Sequence, residues 1–453
     1  MGKMFTEQGK IVLWDSYEFA PIGRPHLYPP LEHILIWFFR SLTHASYMVI
    51  GRGIVVFQTF MALGLTWFIS RKFFNAFVAF LALVFFTAGA EHWWWQTAVT
   101  PLTLVALLFL PTLFLYYKRH ILISILALTA CLYLHYGLSL YLILVIFSAT
   151  ISQASYRKVY LKNFFIILGA SLILFSPWLL HVYHFKYYLF HHAKPLPTQP
   201  LFSLNVPYEK ILPKLNMVFW IFLIPGMVYC FRRIKEDFKY CLFFVGFLCS
   251  FLYLFFFDGI RFHAHLPIVN STIAALGAGV VLEARKYLKS RMLVHATKVF
   301  LGSLIVSVVF VESHFLTEKR VSFSPTPLLN EIRAFVYWRP LERQDIRPFF
   351  NNRETQLLLD FVRQHIDKEE IIHINRGDLA DYITLQTDRK TDSGMYWEIV
   401  TPEMMKKVYA LRTKGYFISS IKNFDNLLPE DYIEKKKFPV ILRKIGQTYI
   451  GYL

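Results

Sequence analysis

Three short polar clusters hold residues able to handle a phosphate: Gly23 to His33, Glu91-His92-Trp93-Trp94-Trp95, and Asp258 to His265. In the first, Arg24 and His26 offer directed N–H donors to an anion, and the prolines hold the backbone extended ahead of a helix. An interfacial turn with an aromatic anchor would use the same residues. In the second, Glu91 and His92 sit between apolar runs with no adjacent cation, a costly place for charge unless water, a metal or a substrate attends it. A turn ending in three tryptophans is also what an aromatic belt looks like. In the third, Arg261, His263 and His265 gather at a span boundary, where snorkelling accounts for an arginine but not for two histidines beside it. The chain shows no Ser-His-Asp or Cys-His arrangement, phosphate-cradling Gly loop or paired Cys-x-x-Cys, so hydrolytic and nucleotide-driven chemistries find no support.

The clusters interrupt a chain that is 55% hydrophobic, 18% aromatic and 17% charged over 453 residues, too apolar for a soluble enzyme of this length. Its apolar runs predict a polytopic α-helical membrane protein with about ten transmembrane helices, each near the roughly 20 residues that cross a bilayer. They fall at 52–70, 73–90, 99–117, 120–135, 137–152, 162–184, 214–231, 238–257, 265–284 and 293–312; the fourth and fifth are short and split only by His135-Tyr136-Gly137. Lys and Arg gather at Arg71-Lys72, Lys118-Arg119, Arg157 to Lys162, Arg232 to Lys239 and Arg285 to Arg291, and the positive-inside rule makes these gaps cytoplasmic. The three clusters, the 185–213 loop and everything after Glu312 then share the outer side. Polar chemistry on one outer surface favours an enzyme at the membrane edge over a transporter or flippase, which needs ionisable or helix-breaking features near the midplane.

Much of the net charge of +18 sits in the cytoplasmic gaps, where anionic lipid headgroups explain it and nucleic acid is not needed. Cys131, Cys230, Cys241 and Cys249 all lie in apolar spans, which argues against a disulfide framework or a zinc site. After Glu312 the composition turns mixed and charged, over a length sufficient for one small α/β or α+β domain. There Glu354 to Ile366 and Asp378 to Gln386 read as helices, and Glu370 to Ile374 and Gly415 to Ser420 as strands. The expected division is a first extracytoplasmic loop over 1–50, a multispan domain over 51–312 and a soluble extracytoplasmic α/β domain over 313–453. An even number of spans with the C-terminus outside puts Met1 outside too, and no leading span is present to carry residues 1–50 across, so either a span is missing upstream, which is the expectation, or one of the ten spans is misassigned.

Gly23 to Leu31, the acidic-His-aromatic turn at Glu91, an arginine at the outer end of a late span and a C-terminal outer domain carry a resemblance. The chain resembles the catalytic subunit of oligosaccharyltransferases and, more broadly, the multispan lipid-linked sugar transferases of the GT-C fold. The likeness covers the whole architecture and few specific residues. In that family the first outer loop runs from the end of span one, through a Gly and an Asp, to a GRPxxYPPL-like segment, and Gly9, Asp15 and Gly23 to Leu31 fit the later part of that loop. The family's first catalytic, metal-binding Asp would fall before Met1. The resemblance implies catalytic, metal-binding roles for Glu91 and, as a substitute carboxylate, Asp15. It implies donor-phosphate contacts from Arg24, His26, His92, Arg261, His263 and His265. Mg²⁺ or Mn²⁺ suits such an oxygen-rich phosphate site better than zinc. The implied donor is a sugar or oligosaccharide on a polyprenyl or dolichyl phosphate or pyrophosphate, whose leaving phosphate must be neutralised as the glycosidic bond breaks.

The implied acceptor is a polypeptide asparagine, with two departures from the family pattern. The acceptor loop offers only Glu209, in Pro207-Tyr208-Glu209-Lys210, and Gly394 to Glu398 is a faint echo of a WWDYG-like acceptor-reading motif. A glycan or other acceptor, and a paralogue that binds lipid-linked sugar without catalysis, both stay open on the sequence. The lipid partners and the lack of a cleavable signal suit a multi-pass protein of a prokaryotic plasma membrane.

Overall fold

The computed structural model describes residues 2–88, 101–154, 157–190, 217–256, 266–284, 295, 299, 302–303, 311–315, 321–325, 353–374, 377–393, 401–410, 415–419, 440–445 and 448–452. The first elements are α1 (Gly2–Gln8), β1 (Trp14–Asp15), β2 (Arg24–Pro25), α2 (Leu31–Thr43) and α3 (Tyr47–Phe73). Helices α4 (Ala76–Ala88), α5 (Pro101–Tyr117), α6 (Ile121–Leu134), α7 (Tyr136–Ser152), α8 (Arg157–His184) and α9 (Lys186–Phe190) follow. Next come α10 (Met217–Arg233), α11 (Phe238–Phe256), α12 (Leu266–Ala284), and strands β3 (Val311–Phe315) and β4 (Val321–Pro325). The remainder is α13 (Arg353–His365), β5 (Ile371–Ile374), α14 (Gly377–Thr387), β6 (Lys390–Thr391), α15 (Pro402–Ala410), β7 (Tyr416–Ser419), β8 (Val440–Ile445) and β9 (Thr448–Tyr452).

The chain forms two compact units: a mixed unit of Met1–Tyr28, Leu179–Thr198 and Glu342–Leu453, and a helical unit of Pro29–Trp178 and Gln199–Leu341. In the helical unit, the apolar runs expected from 52–70 to 265–284 each coincide with a helix; the run at 293–312 lies largely outside the described residues. Val49–Phe73 and Arg157–His184 are long and apolar enough to cross a bilayer. The short gap at His135 is a helix cap: its ring Nδ1 accepts a hydrogen bond from the Leu138 N–H at 3.2 Å, so α6 stops and α7 starts on one residue.

Glycines set a close helix contact in that unit. A Cβ on Gly277 of α12 would lie 1.8 Å from the Phe222 carbonyl oxygen of α10, and one on Gly226 of α10 would lie 1.9 Å from the Ile273 carbonyl oxygen. Only residues without side chains let the two backbones approach so far.

The mixed unit is built on a five-stranded sheet of order β6-β5-β7-β9-β8, with β5 parallel to β6 and β7, and β9 antiparallel to β7 and β8. The two helices and two strands read from the sequence are α13, α14, β5 and β7. Side chains alternate across a strand. Ile372, Ile374, Ile418 and Ile450 accordingly pack against Leu359 and Val362 of α13 and Leu379 and Ile383 of α14. His373 and Phe417, opposite one another in register, take the other face, with ring centroids 4.6 Å apart. The chain's first segment adds to the sheet edge: Thr391 donates to the Tyr17 carbonyl and Ala20 donates to the Thr391 carbonyl, both at 2.8 Å. Phe19 then packs with Met404 and Met405 of α15.

Candidate functional site

Strands β1 and β2 pair antiparallel, with Trp14 opposite Pro25 and Asp15 opposite Arg24. Gly23 makes the pairing possible. Its φ of +73° favours glycine, and a Cβ there would stand 2.3 Å from the Asp15 carbonyl oxygen. The tight return carries Arg24 back under the preceding turn, where it meets two carboxylates. Its Nε and Nη2 lie 3.0 and 2.9 Å from Glu18 Oε2, and Nη2 lies 3.5 Å from Asp15 Oδ2.

The remaining Asp15 oxygen caps the turn, accepting from the Tyr17 and Glu18 N–H groups at 3.0 and 3.2 Å. Asp15 and Arg24 are 1% and 2% exposed, so this is a buried ionic cluster with one cation for two acids. Burial pushes the Glu18 carboxyl up and Arg24 pulls it down, while the second carboxylate at Asp15 adds to the rise.

His26 is 1% exposed, and its Nδ1 donates to the Val12 carbonyl at 3.2 Å. His181 Nε2 in turn donates to the His26 carbonyl at 2.9 Å, and Phe5 meets the His26 ring edge-on at 5.8 Å. The structure thus brings Asp15, Arg24 and His26 into one hairpin, as the expected phosphate and metal groups, but uses them inward. Asp15, with one oxygen on backbone N–H groups and the other turned to Arg24, does not fit a divalent ion. Among the described residues no three His, Cys, Asp or Glu side chains converge as metal ligands do. Glu91, His92, Glu209, Arg261, His263 and His265 lie outside the described residues.

Two acids escaped the sequence reading. Glu18 carries no motif, and only its turn geometry links it to Arg24. Glu32, in the first turn of α2 in the helical unit, is 4% exposed with no partner for its Oε1 among the described residues. Burial lifts its carboxyl to about 8. An isolated glutamate after Pro29-Pro30 gives no sequence hint of this, because burial is a property of the packed helix.

No family model matches the chain, and no curated protein matches it in sequence. Solved structures match it in fold. The chain has the architecture of the GT-C membrane glycosyltransferases, in line with the resemblance its sequence carries. One such structure is the archaeal oligosaccharyltransferase AglB from Archaeoglobus fulgidus, solved with an inhibitory peptide and a dolichol-phosphate. It matches with a TM-score of 0.56 at 11% identity, over 92% of this chain. The chain spans 64% of that protein's length. Another is ArnT from Cupriavidus metallidurans bound to undecaprenyl phosphate, with a TM-score of 0.57 and 11% identity over 100% of this chain and 92% of that one. At such identities the likeness is one of fold.

Proposed function

We propose that this protein is an integral membrane glycosyltransferase that moves a sugar or oligosaccharide from a polyprenyl or dolichyl phosphate or pyrophosphate to an acceptor. The observation that carries the reading is fold likeness over nearly the whole chain to two transferases, each captured with a lipid phosphate. In the reaction, the bond between the anomeric carbon and the phosphate oxygen breaks, and its electron pair stays on the phosphate. An acceptor heteroatom bonds to that carbon and gives up its proton.

Stabilising the leaving phosphate is then the main task, and it is assigned to Arg261, His263, His265 and His92, with Glu91 as the site's acidic group. Charged donors aimed at developing negative charge are the effective means. Asp15, Arg24 and His26 hold the shape of the first loop. One archaeal counterpart was solved with zinc and sulfate; a divalent ion, held here by Glu91, would help neutralise the leaving phosphate. Glu209 belongs to the loop proposed to meet the acceptor, a polypeptide or a glycan. The plasma membrane, with the C-terminal α/β domain outside, is the proposed location.

The test is binding of undecaprenyl phosphate and dolichyl phosphate to the purified chain in nanodiscs, with label transfer from a polyprenyl-phosphate sugar as the second readout. Loss of one charge-assisted hydrogen bond, about 1.5–3 kcal/mol, predicts that Arg261→Ala weakens lipid-phosphate binding by about tenfold or more, with thermal unfolding unchanged. Equal losses of folding and binding would make Arg261 structural. Failure of the parent chain to bind either lipid would overturn the reading.

A further inference from the structure

On the sheet face opposite α13 and α14, the mixed unit holds a cavity of about 320 Å³. Ala20 and Pro21 of the first segment, Val408 of α15, and Glu369, Glu370 and His373 around β5 line it. The strand's own alternation puts His373 there: Ile372 and Ile374 are committed to the apolar core, so the residue between them must face the other way.

The imidazole is locked in place. His373 Nδ1 donates to Asp392 Oδ2 at 2.8 Å, while Asp392 Oδ1 accepts from the Ile374 N–H at 3.0 Å; both side chains are at least nine-tenths buried. Gly415, at the positive φ of +123° that favours glycine, also lines the space, 3.4 Å from His373 Nε2 and the Ile371 carbonyl oxygen when measured from where a Cβ would stand.

Charge decides what would enter. Glu369 is paired with Lys390 at 2.6 Å. Glu370 is half-buried, and no described cation forms a salt bridge with it. Asp392 is already occupied with His373 and the Ile374 amide. The wall is thus acidic, with one carboxylate left for a partner, and a cation in a partly desolvated site is held more firmly than in water. Among the described residues no metal-type cluster of three ligands forms there. The volume and the apolar side chains of Pro21, Ile371 and Val408 suit methylenes beside the charge.

We propose that this cavity binds an alkylammonium group about the size of a lysine side chain, with its N–H donors on Glu370 and its carbons against Pro21 and Val408. The group could come from a free amine or from a lysine of a polypeptide. The site is independent of the donor-phosphate chemistry, and either can fail without the other.

Titration calorimetry on the full chain in detergent, with n-butylammonium, Nα-acetyl-lysine amide and 1-butanol, tests it. An ammonium probe should bind at least ~10-fold tighter than 1-butanol, the difference one charge-assisted contact makes. Glu370→Gln should erase that margin with thermal unfolding unchanged, and Val408→Phe, which fills the cavity, should abolish binding of every probe. Preference for the lysine amide points to a polypeptide source and preference for butylammonium to a free amine; both support the site. Equal affinity for 1-butanol and the ammonium probes, or tight ammonium binding that survives both substitutions, overturns it.

Discussion

In the mixed unit charged side chains are buried in sets: Arg24 between Asp15 and Glu18, His373 on Asp392, and Arg389 on the carbonyls of Ile366, Thr387 and Arg363. Among the described residues of the helical unit the buried polar side chains are, Glu32 apart, neutral hydroxyls, amides and thiols, several of which reach neighbouring helices. Ser70 meets Thr272 at 3.2 Å, Tyr116 meets Thr150 at 2.7 Å, and Tyr141 donates to the Gly246 carbonyl at 2.8 Å. Glu32 is the exception in kind but not in charge, since burial keeps its carboxyl protonated up to about 8.

The outward faces explain the difference. Phe60, Leu122 and Ile173 of the helical unit are 71%, 70% and 73% exposed, an apolar surface suited to lipid rather than to water. Where a charge has lipid behind it, neither water nor a counter-ion relieves a misplaced partner. Near water, a buried ion set is tolerable if every member is matched.

Arg24→Met should break the contrast most sharply, because it leaves two carboxylates buried without their cation, at about 3–5 kcal/mol. Thermal unfolding in detergent reads it. A triple variant that also removes both charges, Asp15→Asn with Glu18→Leu and Arg24→Met, should recover much of the loss. If the single variant is as stable as the parent, the cluster is not holding the hairpin.

Gly277→Ala probes the other unit, where close packing does the work of charge. Forcing the α10 and α12 backbones apart should cost about 1–3 kcal/mol, visible as a lower unfolding temperature and reduced yield of monodisperse protein. Unchanged unfolding would show that the contact gives way easily.

Glu32 sharpens the comparison through pH. Its folded value lies above its unfolded one, so the folded state keeps a proton that the unfolded state releases. Its stabilising contribution is complete below 4.5 and is lost as pH rises through about 8. Glu32→Gln should remove a slope of up to about 1.4 kcal/mol per pH unit in that window, leaving the variant the more stable protein at pH 8. Parallel unfolding curves for the two proteins from pH 5 to pH 8 would contradict this.

The smallest effect expected is from Tyr116→Phe. It deletes the hydroxyl that lies beside Thr150 and donates to the Tyr160 carbonyl at 2.9 Å, worth about 1 kcal/mol. A drop as large as that of Arg24→Met would mean that neutral bonds in the helical unit carry as much as paired charges elsewhere.

Much of the fold was legible because it is local. Apolar runs of span length mark α3 to α8 and α10 to α12 whatever lies beside them, and Ile371-Ile372-His373-Ile374 is a strand by its β-branched run. Arg24, His26 and Asp15 could be picked out as a polar group near rigid prolines. Their inward use could not be read, since Glu18 finds Arg24 only through a return made by Gly23.

By itself the sequence determined the helical class, the positions of α3 to α8 and α10 to α12 and the strands β5 and β7, all properties of composition and short-range periodicity, while a few short motifs carried the resemblance to lipid-linked sugar transferases. Only the tertiary structure decided that the first segment joins the edge of a sheet formed more than three hundred residues later. It also decided that Arg24 serves two acids and that His373 meets Asp392. Such pairings depend on strand register and on the path of distant loops, and hydrophobic periodicity carries no information about which of several polar partners a folded chain brings within 3 Å.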